Sequence, residues 1–237
     1  MDKEYIDLRS DTVTKPTPEM RDAIFGAELG DDVLAEDPTV NLLEKMAASR
    51  LGKDSAILVP SGTFANQLAL FTHCERGDEV ILSENSHIVQ HEAAASSILA
   101  SVQLRTISPE KHFITREEIE QRIRKEEDIH FPHTGLITLE NALSSGVVRS
   151  LESMKNIYNS SHKKYDIPIH LDGARIFNAA AHLGISAAAI AKYADSVMFC
   201  LSKGLSAPVG SLLVGSSDFI KKARKLRKIM GGGMRQA

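Results

Sequence analysis

The chain has 237 residues, 43% of them apolar and 25% charged, with a formal net charge of −3. That length supports a sizeable core and one large domain, and the composition is ordinary for a globular protein. The slight negative charge gives no general pull toward nucleic acid or an acidic membrane surface, no apolar run approaches the ~18 residues of a membrane span, and Met1 to Tyr5 lacks the apolar stretch of a signal peptide, so a cytoplasmic location is the default expectation.

Helix and strand signals alternate between residues 35 and 230. Asp37-Pro38 reads as a helix N-cap followed by proline at the first helical position, and Gly52 closes that helix. Ala56 to Val59 reads as a short buried strand, Thr63 to His73 as an apolar helix, and Glu79 to Leu82 as the next strand. A helix is expected from His87 to Leu99. Thr115-Arg116-Glu117-Glu118 has the spacing of a capping box for a charged surface helix. Leu136 to Leu139 reads as a strand and Ser150 as the cap of another helix. Two apolar runs then stop abruptly, at Asp172 and at Leu201. Ser211 to Val214 reads as a last strand, ahead of a basic helix from Asp218 to Ile229. This rhythm predicts an α/β fold, a mostly parallel sheet with helices on both faces. Residues 1–35 form an N-terminal segment to an α/β core over 36–237, and Cys74 and Cys200, far apart in apolar contexts, read as buried thiols rather than a disulfide or a metal site.

Ligands of such sheets bind outside the carboxyl ends of the strands, which singles out the residues just after each strand. Pro60-Ser61-Gly62-Thr63 offers hydroxyls and free N–H groups at a helix start, an anion site; a plain capped turn is the alternative. His87 offers an imidazole able to lie on an aromatic ring or to relay a proton; the alternative is a surface histidine, one of nine in the chain. Asn141 would bond a ring's phenolic oxygen or simply serve a turn. Asp172 reads as a buried carboxylate opposite a protonated ring nitrogen, or as a helix cap or a partner of Arg175. The planar fork of Arg175 suits a substrate carboxylate. Lys203 ends an apolar strand, which suits Schiff-base chemistry; the alternative is a lysine snorkelling to the surface. Singly, each residue has a bland reading. Together, an anion turn, an imidazole, a carboxylate and a lysine fall at successive strand ends in the order that one pyridoxal phosphate site needs, with the lysine on the aldehyde and the carboxylate holding the ring nitrogen protonated.

These residues, in this order, resemble the fold-type-I pyridoxal phosphate enzymes, and more narrowly the low-specificity threonine aldolase family of β-eliminating lyases. The matching runs are Asp7 to Thr14, Gly30-Asp31-Asp32, Glu36 to Thr39, Ser61-Gly62-Thr63, Arg76 to Glu79, His170 to Phe177, Ser196 to Gly204 and Gly231 to Gln236. The resemblance implies retro-aldol cleavage of L-threonine or L-allo-threonine to glycine and acetaldehyde. It implies Lys203 as the Schiff-base lysine, Asp172 on the ring nitrogen, Ser61, Gly62 and Thr63 on the phosphate, and His87 stacked on the ring as the candidate base. It also implies Ser10 and Arg175 on the substrate carboxylate, and Arg235 near the cofactor phosphate of a neighbouring subunit in a homodimer or homotetramer with shared sites.

The chain also departs from that pattern. Glu140-Asn141 is followed by Ala142-Leu143, where the family usually has threonine and histidine. Val33-Leu34 follows the aspartate pair in place of valine and tyrosine, and Val89, Gln90 and His91 replace frequent aromatics. His91 is therefore a candidate substitute for the lost imidazole. Family members carry roughly another hundred residues, a smaller C-terminal domain with a second substrate-binding arginine. The chain, ending at Ala237, is expected to correspond to the large domain without it and to turn over weakly or not at all. Two other readings share the site: β-elimination or racemisation on the same cofactor, and a catalytically silent module that binds it. A third, nucleic-acid binding through Lys221, Lys222, Arg224, Lys225, Arg227 and Lys228, competes with a solvated helix or a subunit contact, which the net charge favours.

Overall fold

The computed structural model describes residues 5–125 and 128–237; apart from Tyr5, the N-terminal run read against a signal peptide lies outside them. Seven strands, β1 (Ser55–Val59), β2 (Glu79–Ser83), β3 (Gln103–Ile107), β4 (Thr134–Glu140), β5 (Ile169–Asp172), β6 (Ser196–Cys200) and β7 (Ser211–Gly215), form one sheet in the order β1-β7-β6-β5-β4-β2-β3. The sheet is mostly parallel, as expected. Only β7 runs antiparallel to its neighbours β1 and β6. Residues 201–210 connect β6 to β7 without a helix, too little chain for the crossover that a parallel return requires.

Nine helices are described: α1 (Pro18–Phe25), α2 (Pro38–Leu51), α3 (Gly62–His73), α4 (His87–Gln90), α5 (Arg116–Glu120), α6 (Leu151–Tyr165), α7 (Ile176–Leu183), α8 (Ala187–Ala191) and α9 (Ser217–Ile229). They cover both faces. Alternate strand residues divide between two cores, as a pleat of period two dictates: Ala56 and Leu58 face the side of α2, α6, α7 and α8, while Ile57 and Val59 face α3 and α9. Local chemistry sets the helix ends. Asp37 Oδ1 accepts from Val40 N at 2.9 Å, Pro38 opens α2, and Gly52 leaves it at φ +62°. The Thr115–Glu118 capping box is present and starts α5. Among the described residues no helix is long and apolar enough to cross a membrane.

One expectation fails, and one strand was not anticipated. Strand β3 leaves little signal in the sequence because Gln103-Leu104-Arg105-Thr106-Ile107 lies at the sheet edge, buries only Ile107 fully and carries polar residues at the other positions but one. The helix expected from His87 to Leu99 stops at Gln90, and a π-helical turn occupies Ser96–Ala100. Between them Ala93 (φ +51°) and Ala94 (φ +58°) are left-handed, a conformation that costs an ordinary residue about 1–2 kcal/mol. The break turns Glu92 inward: it is buried while His91, Ala93 and Ala94 are exposed.

The basic helix α9 directs part of its charge into the fold. Arg227, 2% exposed, pairs with buried Asp32 at 2.8 Å and donates to the carbonyl of Leu58 at 2.7 Å. Arg224 pairs with Glu44 at 2.7 Å. These contacts favour the structural reading of the six cations.

Candidate active site

The carboxyl ends of β2, β4, β5 and β6 open onto one cleft, lined among others by Gly62, His87, Glu140, Asp172, Arg175 and Lys203. Six of the residues singled out from sequence thus meet in space: Gly62, His87, His91, Asp172, Arg175 and Lys203. Ser61 and Thr63 flank Gly62 at the start of α3. Ser61 Oγ accepts from Phe64 N at 3.2 Å, while the N–H groups of Gly62 and Thr63 have no acceptor among the described residues. The positive end of a twelve-residue helix therefore faces the cleft with free donors. Gly62 is required by close packing: a Cβ there would lie 2.9 Å from Cys200 Sγ and 3.0 Å from Met198 Cε.

Asp172 is 5% exposed. Its Oδ1 accepts from Ala174 N at 3.0 Å and its Oδ2 from Asn66 Nδ2 at 2.8 Å. It has no cationic partner within salt-bridge distance among the described residues. The alternative reading of Asp172 as a partner of Arg175 fails: Asp11 engages that guanidinium, at 2.7 and 2.8 Å. This fork holds the Arg175 pKa up and the Asp11 carboxyl below its usual range. The Lys203 amine has no hydrogen-bond or salt-bridge partner among the described residues, and its carbonyl accepts from Thr14 Oγ1 at 2.7 Å. The N-terminal segment thus reaches the cleft through Thr12, Asp11 and Thr14.

Glu140 stands beside Asp172 in the β4–β5 register. Burial, then the negative charge of Asp172, push its carboxyl up to about 7. Its Oε2 accepts from His87 N at 3.2 Å. His87 Nδ1 lies 2.7 Å from Glu92 Oε1, a bond that holds the imidazole pKa above its usual value against the opposing effect of burial. His91 also lines the cleft, its ring 5.3 Å from that of His87.

For Asn141 the turn reading holds. It is fully buried, its Oδ1 accepts from Arg149 N at 3.0 Å and its Nδ2 donates to Arg149 O at 3.2 Å, so its polar atoms shape the turn. Glu140, the residue before it, lines the cleft instead. Ser10 caps a short turn, accepting from Thr12 N at 3.2 Å and Thr12 Oγ1 at 2.9 Å, and does not line the cleft itself. Arg235 lies outside this chain's cleft, paired with Asp31 at 2.6 Å.

Sequence reasoning missed Asn66, Glu92 and Glu140. Asn66 and Gln67 are polar residues on a buried face of an apolar helix, a legible signal. Glu140 ends its strand as Asp172 does. Glu92 left no signal, because an unbroken helix would have shown it as surface charge.

The chain matches the β-eliminating lyase family over residues 7–237. It belongs to that family. The low-specificity L-threonine aldolase of Escherichia coli K12 is 45% identical over 98% of this chain and 69% of its own length. Low-specificity L-threonine aldolase 1 of Arabidopsis thaliana is 47% identical over 98% of this chain and 66% of its own. The chain thus spans about two thirds of the length of the curated relatives it matches. A solved threonine aldolase structure from Leishmania major superposes with a TM-score of 0.82 at 20% identity, covering 96% of this chain and 67% of that one, a likeness of fold. The strand-end residues therefore sit in a sheet architecture that the family shares.

Proposed function

We propose that this chain is the cofactor-binding large domain of a pyridoxal phosphate-dependent aldolase, which cleaves L-threonine and L-allo-threonine to glycine and acetaldehyde. In this reading residues 36–237 are the α/β core and residues 1–35 an N-terminal segment. The observation that carries it is chemical: among the described residues, a buried carboxylate without a cation, Asp172, shares one cleft with an amine that has no partner, Lys203, and with N–H groups at Gly62 and Thr63 that have no acceptor. Each lack matches one part of the cofactor, in the protonated ring nitrogen, the aldehyde and the phosphate.

When bound, the cofactor supplies an electron-accepting ring that weakens bonds at the substrate α-carbon. Lys203 would anchor it, and Asp172 would keep its ring nitrogen protonated. Ser61, Gly62 and Thr63 would bind its phosphate. Arg175, already oriented by Asp11, supplies a two-pronged partner for the substrate carboxylate, with Ser10 nearby in sequence to the lining residue Thr12. His87, whose Nδ1 is held by Glu92, would stack on the ring and receive the β-hydroxyl proton at Nε2. The same reading assigns the protein to the cytoplasm and to a homodimer or homotetramer, with Arg235 reaching a neighbouring subunit's phosphate. The exposed apolar residues Ile6, Leu8 and Phe25, at 89–94%, support a second copy over the N-terminal segment.

Absorbance tests the reading. Purified protein given pyridoxal phosphate is expected to show a band near roughly 420 nm that Lys203→Ala removes. A wild type without the band refutes cofactor binding. Product analysis with L-threonine, L-serine and L-cysteine then separates aldol cleavage from β-elimination.

A further inference from the structure

Glu92 is buried behind the cleft and has no lysine or arginine partner among the described residues. Its oxygens take three contacts: His87 Nδ1 at 2.7 Å, Asn66 Nδ2 at 2.8 Å and Gln67 Nε2 at 2.5 Å. The backbone turns left-handed at Ala93 and Ala94 immediately after it. A strained backbone that inserts one carboxylate between exposed neighbours points to a role for that carboxylate.

The hydrogen-bond chain around it admits one proton assignment. Asn66 Nδ2 lies 2.8 Å from both Glu92 Oε1 and Asp172 Oδ2. Turning the amide over would set its oxygen against two carboxylates, so the NH2 group faces them. Asn66 Oδ1 then accepts from His170 Nε2, at 3.1 Å. His170 is fully buried, and burial holds it neutral, its pKa pushed down to about 3. Its one proton is therefore on Nε2, its Nδ1 accepts from Ser196 Oγ at 2.8 Å, and Ser196 Oγ accepts from His73 Nε2 at 2.7 Å. Both oxygens of Glu92 accept from side-chain amides, and a carboxylate is acceptor-only, so the contact with Nδ1 is donated by His87.

We infer that Glu92 is a positioning residue for His87: it keeps the imidazole proton on Nδ1, so that Nε2 is the nitrogen presented to the cleft, and the doubly donating amide of Asn66 ties this pair to the carboxylate of Asp172. The consequence at the cofactor rests on the function proposed above, whereas the tautomer is a property of the chain alone. Besides Glu92, the charged groups near His87 are Glu140 from β4, Asp172 from β5 and Lys203 from the loop after β6, with His91 on its own segment. Of these, Glu92 makes the bond to Nδ1. An imidazolium formed at His87 would find its counter-charge already in place, as in carboxylate–histidine pairs generally.

Histidine nitrogen NMR on the cofactor-free chain tests this directly. Wild-type His87 is expected to be the Nδ1–H tautomer when neutral, and to titrate above an ordinary histidine. In Glu92→Gln the titration midpoint is expected to fall by about one unit and the tautomer to become mixed, with Glu92→Asp restoring part of the shift. A wild-type His87 protonated on Nε2 overturns the inference with no variant needed, and so does an unchanged midpoint in a folded Glu92→Gln. In the protein given pyridoxal phosphate, the visible band reports cofactor binding only. Absence of any band in the wild type would instead refute the proposed function and leave the NMR result standing.

Discussion

Acid should destabilise this fold through His170, and by an amount the structure sets. The residue is fully buried, bonded to Asn66 and Ser196, and its pKa is pushed down to about 3 by burial and by the nearby His73. In the unfolded chain it titrates near an ordinary ~6.5. The folded pKa is thus the lower one, and between these values the unfolded state binds the extra proton, so stability falls as pH falls. The penalty is nearly absent at pH 7, grows below about 6.5 and levels off near 3. Between pH 7 and pH 5 linkage gives a loss of about 2 kcal/mol from this one group. His170→Gln removes the titration while keeping a polar side chain. Urea unfolding of both proteins at the two pH values isolates the term, since the coupled His73, pushed down to about 4 by burial, stays neutral in the fold over this window and groups remote from His170 cancel. The wild type should lose about 2 kcal/mol more than the variant, a difference of roughly 1 M in midpoint for an m-value near 2 kcal/mol/M. Equal losses in the two proteins would refute the argument that His170 stays neutral in the fold.

Gly62→Ala should separate α3 from β6, because its Cβ meets Cys200 Sγ and Met198 Cε at or below 3.0 Å. A loss of about 1–3 kcal/mol and weaker pyridoxal phosphate uptake are expected; unchanged thermal unfolding and cofactor titration would show that the contact relaxes freely. Asp32→Ala leaves the guanidinium of Arg227, 2% exposed, without its charge partner. Chemical denaturation should reveal a loss of about 3–5 kcal/mol, and a loss below 1 kcal/mol would contradict the burial argument. His91→Ala tests whether this cleft-lining imidazole does the work of the one absent at Leu143: the residual L-threonine cleavage of the wild-type chain should drop by about 10²-fold, and an unchanged residual rate removes His91 from the mechanism.

How much was legible from residue order varied with the range of the interactions involved. Strands β1, β2, β4, β5, β6 and β7 were each visible as short apolar runs, since burial on both faces of a sheet leaves an unmistakable local record. So were the ends of α2 and α5, fixed by caps acting over three or four residues. Asp172 stood out because an ionisable group ending an apolar strand contradicts its own surroundings, and Lys203 because it follows such a strand closely, although β6 ends at Cys200 and places Lys203 in the loop beyond it. Edge strand β3 left almost no trace, for half its surface is in water and its polar residues look like loop.

Residue order by itself therefore determined the α/β class and the mostly parallel sheet, and it singled out Gly62, His87, Asp172 and Lys203, which lie at or just beyond the carboxyl ends of β1, β2, β5 and β6. Those follow from local burial and from the rule that such sheets bind at their carboxyl ends. Only the tertiary structure decided that Arg175 pairs with Asp11 rather than Asp172, that Asn141 shapes a turn while Glu140 lines the cleft, and that the helix after His87 breaks to bury Glu92. The physical reason is shared by all three. Each outcome depends on which partners are brought together from distant parts of the chain, and a hydrogen bond between Asn66 and Asp172 or between Arg175 and Asp11 leaves no periodicity in the sequence around either residue.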